Sequence, residues 1–239
     1  MTGSQARPEG GNAVPATATL THRIPRAARR VQLLGIATRL FAAHGYHHIS
    51  MDDLADEAGV SKPVLYRHFP SKLELYLEVV DARGAELVAA VDAALAPARD
   101  ADPSVSFDGG DVVQAVVEAY VSFAVDAGQS AALLFESDVM RDDAVRERVL
   151  RPDAVNADAF ADVLVLRCGM DREQALVLGR TCTAIARSAA TEVAEQARLA
   201  ARRKDHGGRG GRGVDDATIS SILSTFAWRG LRSFVAPAT

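Results

Sequence analysis

The sequence predicts an all-α protein, and three observations carry that prediction. Aromatic residues are only 5% of the 239 residues while 48% are hydrophobic, so the apolar content is mostly small and aliphatic. The apolar stretches are longer than typical strands and recur at helical spacing. Ser, Asp, Pro and Gly fall where such stretches begin and end. A chain of this length and apolar content buries a sizeable core, which excludes a wholly disordered protein.

Residues 1–24 are rich in Gly, Pro, Ala, Ser and Thr and read as a disordered tail. From Pro25, Leu33, Ala37, Leu40 and His44 beside Leu34, Thr38 and Phe41 give one apolar face, and Gly45 stops this helix. Ser50 with Asp53 forms a capping box opening a short second helix, buried through Met51, Leu54, Ala55 and Ala58 and ended by Gly59. Ser61 caps a third, with Pro63 tolerated in its first turn. Ser71 and Glu74 open a long helix that Pro97 stops near Ala96.

After a loop at 98–110, helices are expected at about 111–127, 130–137, 142–150, 153–168, 171–200 and 216–235. Pro152 splits the third of these from the fourth. Residues 201–214 read as a flexible Gly/Arg-rich loop, a solvated linker rather than a nucleic-acid contact through Arg209 and Arg212. Gly208, Gly210 and Gly213 match G-x-G-x-x-G, but no strand precedes them, so no dinucleotide site is expected.

Charge divides the chain. Residues 1–72 hold nine Lys or Arg against five acids, net +4, whereas 73–239 hold eighteen against twenty-six, net −8. This suits a small module facing an anion, joined to a larger acidic domain. Cys168 and Cys182 are too few for a disulfide framework and are not spaced as a metal knuckle. With no leader-like start and no spanning apolar run, a cytoplasmic, nucleoid-associated protein is expected.

The most informative stretch runs from Gly45 to Lys72 and describes a helix-turn-helix, whose second helix presents its N-terminal half to the major groove. Ser61 and Lys62 reach phosphate, Pro63 and Val64 offer apolar contact, and Arg67 and His68 add donors, while Leu65 and Phe69 point inward. Ser50, Ser61 and Ser71 cap helix N-termini suited to phosphate, the last helped by Lys72. Arg23, Arg26, Arg29 and Arg30 are either a phosphate or minor-groove arm or a solvated helix face. Tyr66 is either a phosphate contact or a core aromatic.

No catalytic arrangement emerges. His44, His47 and His48 straddle Gly45 without a completing carboxylate, and Asp52 and Asp53 suit a solvated or capping role. Cys182 reads as a buried structural thiol. Neither enzyme activity nor a cofactor is expected.

These motifs resemble the tetracycline-repressor (TetR) family of transcriptional regulators. Phe41, Gly45-Tyr46, Ser50, Ala58-Gly59-Val60-Ser61, Leu65-Tyr66, Phe69 and Ser71-Lys72 carry the resemblance, in order. It implies a three-helix DNA-binding bundle at 25–70 and a helical effector-binding and dimerisation domain at 71–239. It also implies DNA contacts from Ser50, Ser61, Lys62, Pro63, Val64, Tyr66, Arg67, His68 and Lys72 on a palindromic operator. The last two helices would dimerise, through Leu176, Leu178, Ile185, Val193, Ile219, Leu223, Phe226, Trp228, Leu231 and Phe234, the alternative being monomer core. Arg180 and Arg187 would pair across a dimer, bind an anionic ligand group, or snorkel.

Within the family, the chain is most similar to regulators of fatty-acid synthase genes that sense long-chain acyl-CoA. Residues 60–66, 71–77, 134–138 and 226–231 carry this resemblance. Tyr120, Phe123, Leu133, Leu134, Phe135, Phe160, Val163 and Leu166 are the large apolar groups expected to line such a pocket.

Overall fold

The computed structural model describes residues 25–102, 107–135, 139–205 and 214–234, without the side chains of 200–205. The expectations for the tail, for Arg23, and for the glycines and arginines between 206 and 213 lie outside the described residues. The chain is all-α, without strands among the described residues.

Three helices come first: α1 (Arg26–His44), α2 (Met51–Glu57) and α3 (Lys62–His68). Leu33, Ile36, Ala37 and Phe41 form the buried stripe of α1; His44, expected on that stripe, is exposed because the helix ends there and Gly45 turns the chain away. Then α4 (Lys72–Asp100) leads into α5 (Gly109–Ala127), a 3-10 turn (Gly128–Ala131) and the single turn α6 (Ala132–Phe135). Finally come α7 (Asp143–Cys168), α8 (Arg172–Asp205) and α9 (Asp216–Leu231).

Three boundaries differ from the sequence reading. Pro97 does not stop α4, whose inner face stays packed through Leu95 and Ala98; Arg99 reaches back across the proline to Asp92 at 2.6 Å. Pro152 does not split α7. Its ring is buried against Gly84 of α4, where a Cβ would lie 2.7 Å from the proline Cγ, so tertiary packing offsets the backbone hydrogen bond that the proline forfeits. Helix α8 runs on to Asp205 rather than yielding to a loop at 201, because Ala201, Arg202, Arg203 and Lys204 are good helix formers and the glycines start at Gly207.

The buried residues form one continuous cluster from Leu33 in α1 to Leu231 in α9. Helices α4, α5, α7 and α8 supply its centre, and α1 joins it by packing on α4, α6 and the 3-10 turn. Cys182 is fully buried in α8, which pushes its thiol up to about 12.

Candidate nucleic-acid interface

Helix α2 starts at Ser50 with the expected capping box. The Ser50 hydroxyl accepts from the Asp53 N–H at 3.1 Å and the Asp53 carboxylate accepts from the Ser50 N–H at 2.8 Å; the Ser50 hydroxyl, donating to that carboxylate at 2.7 Å, and then this N–H hold the Asp53 carboxyl below its ordinary value. The turn to α3 requires Gly59, whose φ of 61° would strain a residue with a Cβ.

Ser61 occupies the N-cap of α3, but its hydroxyl makes no cap bond, contrary to the sequence reading. Pro63 has no N–H to give, and the Val64 N–H donates to the Ser61 carbonyl at 2.8 Å, so the hydroxyl is left on the exposed side. Ser71 does cap α4, accepting from the Glu74 N–H at 3.1 Å.

Burial of Leu65 and Phe69 orients α3 and turns Lys62, Pro63, Tyr66 and Arg67 outward, with Val64 half-buried. Tyr66 is 41% exposed and is therefore no core aromatic. Lys62 is paired with Asp52 of α2, and the Lys72 ammonium stands 4.1 Å from the centroid of the Tyr46 ring.

The arginines of α1 divide. Arg30 is a strut: it donates to the His68 carbonyl, pairs with Glu78 of α4 and lies over the Phe69 ring at 4.4 Å. Arg26 is exposed and Arg29 half-buried, donating to Gln32 at 2.8 Å.

His68 is a correction. It falls one turn after Leu65 on the inward stripe of α3 and is 7% exposed, so its ring does not face a base edge. Burial first, then the positive charges of Arg26, Arg67, Arg30 and Arg29, push its imidazole below the ordinary histidine value. The folded state thus resists a proton that the unfolded chain takes up. Stability should be intact above about pH 6.5 and fall as the pH drops toward the folded value, by at most about 1.4 kcal/mol per pH unit. Urea titrations between pH 7 and 5 check this: His68→Gln should flatten the dependence, and identical profiles would show that His68 titrates alike in both states.

Residues 33–79, which span all of α2 and α3, match the family model for bacterial regulatory proteins of the tetR family. Over 181 residues, 76% of each chain, the protein is 36% identical to the HTH-type transcriptional activator FasR of Mycolicibacterium smegmatis. The chain belongs to the TetR family. It is a transcriptional regulator and not an enzyme. A TetR-like regulator from Rhodococcus sp. RHA1 superposes with a TM-score of 0.62 at 25% identity, over 88% of this chain and 99% of that one. A tetR-family regulator from Streptomyces coelicolor, 20% identical with a TM-score of 0.62 over 88% of this chain and 83% of that one, shares the fold.

In this TetR-family chain the residues expected around an effector fall in the α5–α6–α7 region. Tyr120, Phe123, Leu133, Leu134, Phe135, Phe160 and Val163 are all buried, with the Phe135 ring 6.0 Å from Phe123 and 6.4 Å from Tyr120. Leu166 is corrected: at 59% exposure it lies on the outer face of α7, because the inward stripe there runs through Phe160, Val163 and Leu164. Phe123 also lines a groove of about 560 Å³ between α4 and α5, with Ala90, Ala94, Ala115 and Ala119, rimmed by Arg83, Glu86, Glu118 and Asp126.

A polar cluster inside this region was not legible from spacing. Arg187 of α8 donates to Asp153 at 2.7 Å and to the Leu134 carbonyl, and lies over the Phe135 ring. The Tyr120 hydroxyl donates to Asp153 at 2.8 Å and accepts from Asn156 at 2.9 Å, and burial keeps this phenol protonated. Arg187 therefore pairs within the protomer; Arg180 is exposed. Asp153 and Asn156 went unnoticed because their partners lie 33 or more residues away in sequence.

Proposed function

We propose that this regulator binds a palindromic DNA operator as a homodimer and that a long-chain acyl-CoA, or another apolar ligand, sets its operator affinity, with genes of fatty-acid synthesis as targets. The observation that carries the reading is the exposed α3 face of Lys62, Pro63, Tyr66 and Arg67, with Val64 beside it and Arg26 and Arg29 flanking it on α1. Ser50, Ser61 and Lys72 complete the DNA-contacting set at the helix starts. Units 25–70 and 71–239 divide the work between DNA and effector, in a cytoplasmic, nucleoid-associated protein.

A second copy would cover α8 and α9, where Val177, Ile222 and Phe226 stand 61%, 58% and 68% exposed. Support for the effector comes from the four sequence stretches shared with acyl-CoA-sensing regulators and from the kinship with FasR. Tyr120, Phe123, Leu133, Leu134, Phe135, Phe160 and Val163 are its proposed lining.

Motion would reach the DNA along two routes: α4, which runs without a break from Ser71 into the larger helical region, and α6 with its 3-10 turn, which packs on α1. A hundredfold change in operator affinity requires about 2.7 kcal/mol of coupling, and DNA must change ligand affinity by the same factor. Operator binding with and without long-chain acyl-CoA tests this. Wild type should respond, while Phe123→Ala and Leu134→Ala should lose response more than DNA affinity. A wild type that ignores acyl-CoA ends the effector assignment, and a single unsymmetrical half-site bound by a monomer ends the dimeric one.

A further inference from the structure

Asp52 is a carboxylate on a face that the proposed function turns toward phosphates. Helix α2 carries four exposed acids, and two others already have work: Asp53 closes the capping box on Ser50, and Glu57 lies 3.6 Å from Arg39. Asp52 instead reaches across the turn to the first residue of α3, with Lys62 Nζ at 2.8 Å from Oδ1 and 3.0 Å from Oδ2. Both side chains keep more than half their surface in water, 61% for Asp52 and 52% for Lys62. An ion pair so exposed adds little to folding, so stability does not account for it.

Resting on the reading of α3 as the recognition helix, we infer that Asp52 and Lys62 form a base-reading pair that selects a G·C base pair in each half-site. The chemistry is complementary. The pair presents an ammonium donor and a carboxylate acceptor side by side, about one hydrogen-bond length apart. The major-groove edge of G·C presents the guanine N7 and O6 acceptors beside the cytosine N4 donor. The ammonium takes the adjacent guanine N7 and O6 acceptors, where adenine has N7 but a donor in place of O6, and the carboxylate accepts from cytosine N4.

The backbone offers no such match, because phosphate oxygens repel a carboxylate that arrives with the lysine. Asp52 thereby steers Lys62 from phosphate to base. Lys62 is a base contact in this assignment, and Asp52 sets specificity by rejecting both the backbone and bases without an exocyclic amine at that spot.

Binding-site selection from randomised duplexes tests it, using the full chain and the variants Asp52→Ala, Asp52→Asn and Lys62→Met. Thermal melts verify that each variant folds, as substitutions on exposed side chains allow. Wild type should enrich a symmetric motif with one G·C position per half-site. In Asp52→Ala and Lys62→Met that position alone should lose about tenfold or more of its preference, while Asp52→Ala gains affinity for unrelated DNA. Asp52→Asn should move the position toward adenine, which an amide reads through N6 and N7. A motif unchanged in all three variants, or weakened equally at every position, overturns the base-reading pair and leaves DNA recognition standing. An A·T pair at the affected position overturns the G·C assignment. A wild type that enriches no motif overturns the DNA-binding reading itself and the pair with it.

Discussion

Asp153→Ala should lower the free energy of unfolding by about 2–4 kcal/mol, toward the lower part of the range for breaking a buried ion pair because both partners keep about a fifth of their surface in solvent. The substitution strands the Arg187 guanidinium with only the Leu134 carbonyl and the Phe135 ring, and leaves Tyr120 without its acceptor. The loss arises from the uncompensated charge more than from the missing attraction, so removing that charge should undo most of it. The double variant Asp153→Ala/Arg187→Met is therefore expected to be more stable than Asp153→Ala alone. Urea unfolding of wild type, both single variants and the double variant measures the coupling. Additive losses would show that the two side chains act independently. Arg187 also holds α6 through the Leu134 carbonyl, and α6 packs on α1, so Asp153→Ala should blunt any ligand effect on DNA binding before it blunts DNA binding itself.

Gly179→Ala should cost about 3 kcal/mol or more, opposite in sign to the gain from replacing glycine by alanine in an open helix. Helices α7 and α8 cross so closely that a Cβ at position 179 would lie 2.4 Å from the Ala157 carbonyl oxygen, 3.3 Å from its carbon and 3.5 Å from the Ala161 nitrogen. All three are backbone atoms, so no side chain can swing away and the helices must separate. Gly35 in α1 supplies the contrast, since a Cβ there would meet nothing within 4 Å. Gly35→Ala should gain about 0.5–1 kcal/mol. In thermal melts these effects correspond to a fall of about 6–12 °C for Gly179→Ala and a rise of about 1–4 °C for Gly35→Ala. Equal melting temperatures for the two variants would mean that the α7–α8 contact tolerates displacement.

The N-terminal bundle was readable because its signals are local. A capping residue, its partner three positions on and a glycine at the turn lie within one or two helical turns of each other, so Ser50 to Asp53 and Gly59 specify their geometry before any long-range contact exists. Inside versus outside on α3 was nearly as accessible, since Leu65 and Phe69 define the stripe; His68 failed because a polar residue on that stripe was assigned by its chemistry rather than by its phase. Prolines misled at 97 and 152 for a related reason. Their local penalty is a few kcal/mol, and tertiary burial of Leu95 on one helix and of Pro152 against Gly84 on the other outweighs it.

The sequence by itself therefore determined the helical class, the family motif and the outward placing of Lys62, Pro63 and Arg67 on α3, signals carried by residues close together in the chain. Tertiary structure alone decided which charges meet. Arg187 with Asp153, Arg30 with Glu78, and Lys62 with Asp52 are separated by 34, 48 and 10 residues. Helical periodicity fixes the direction in which a side chain leaves its own helix and carries no information about which helix packs opposite, so pairing across helices emerges only when the core closes and sets their distances.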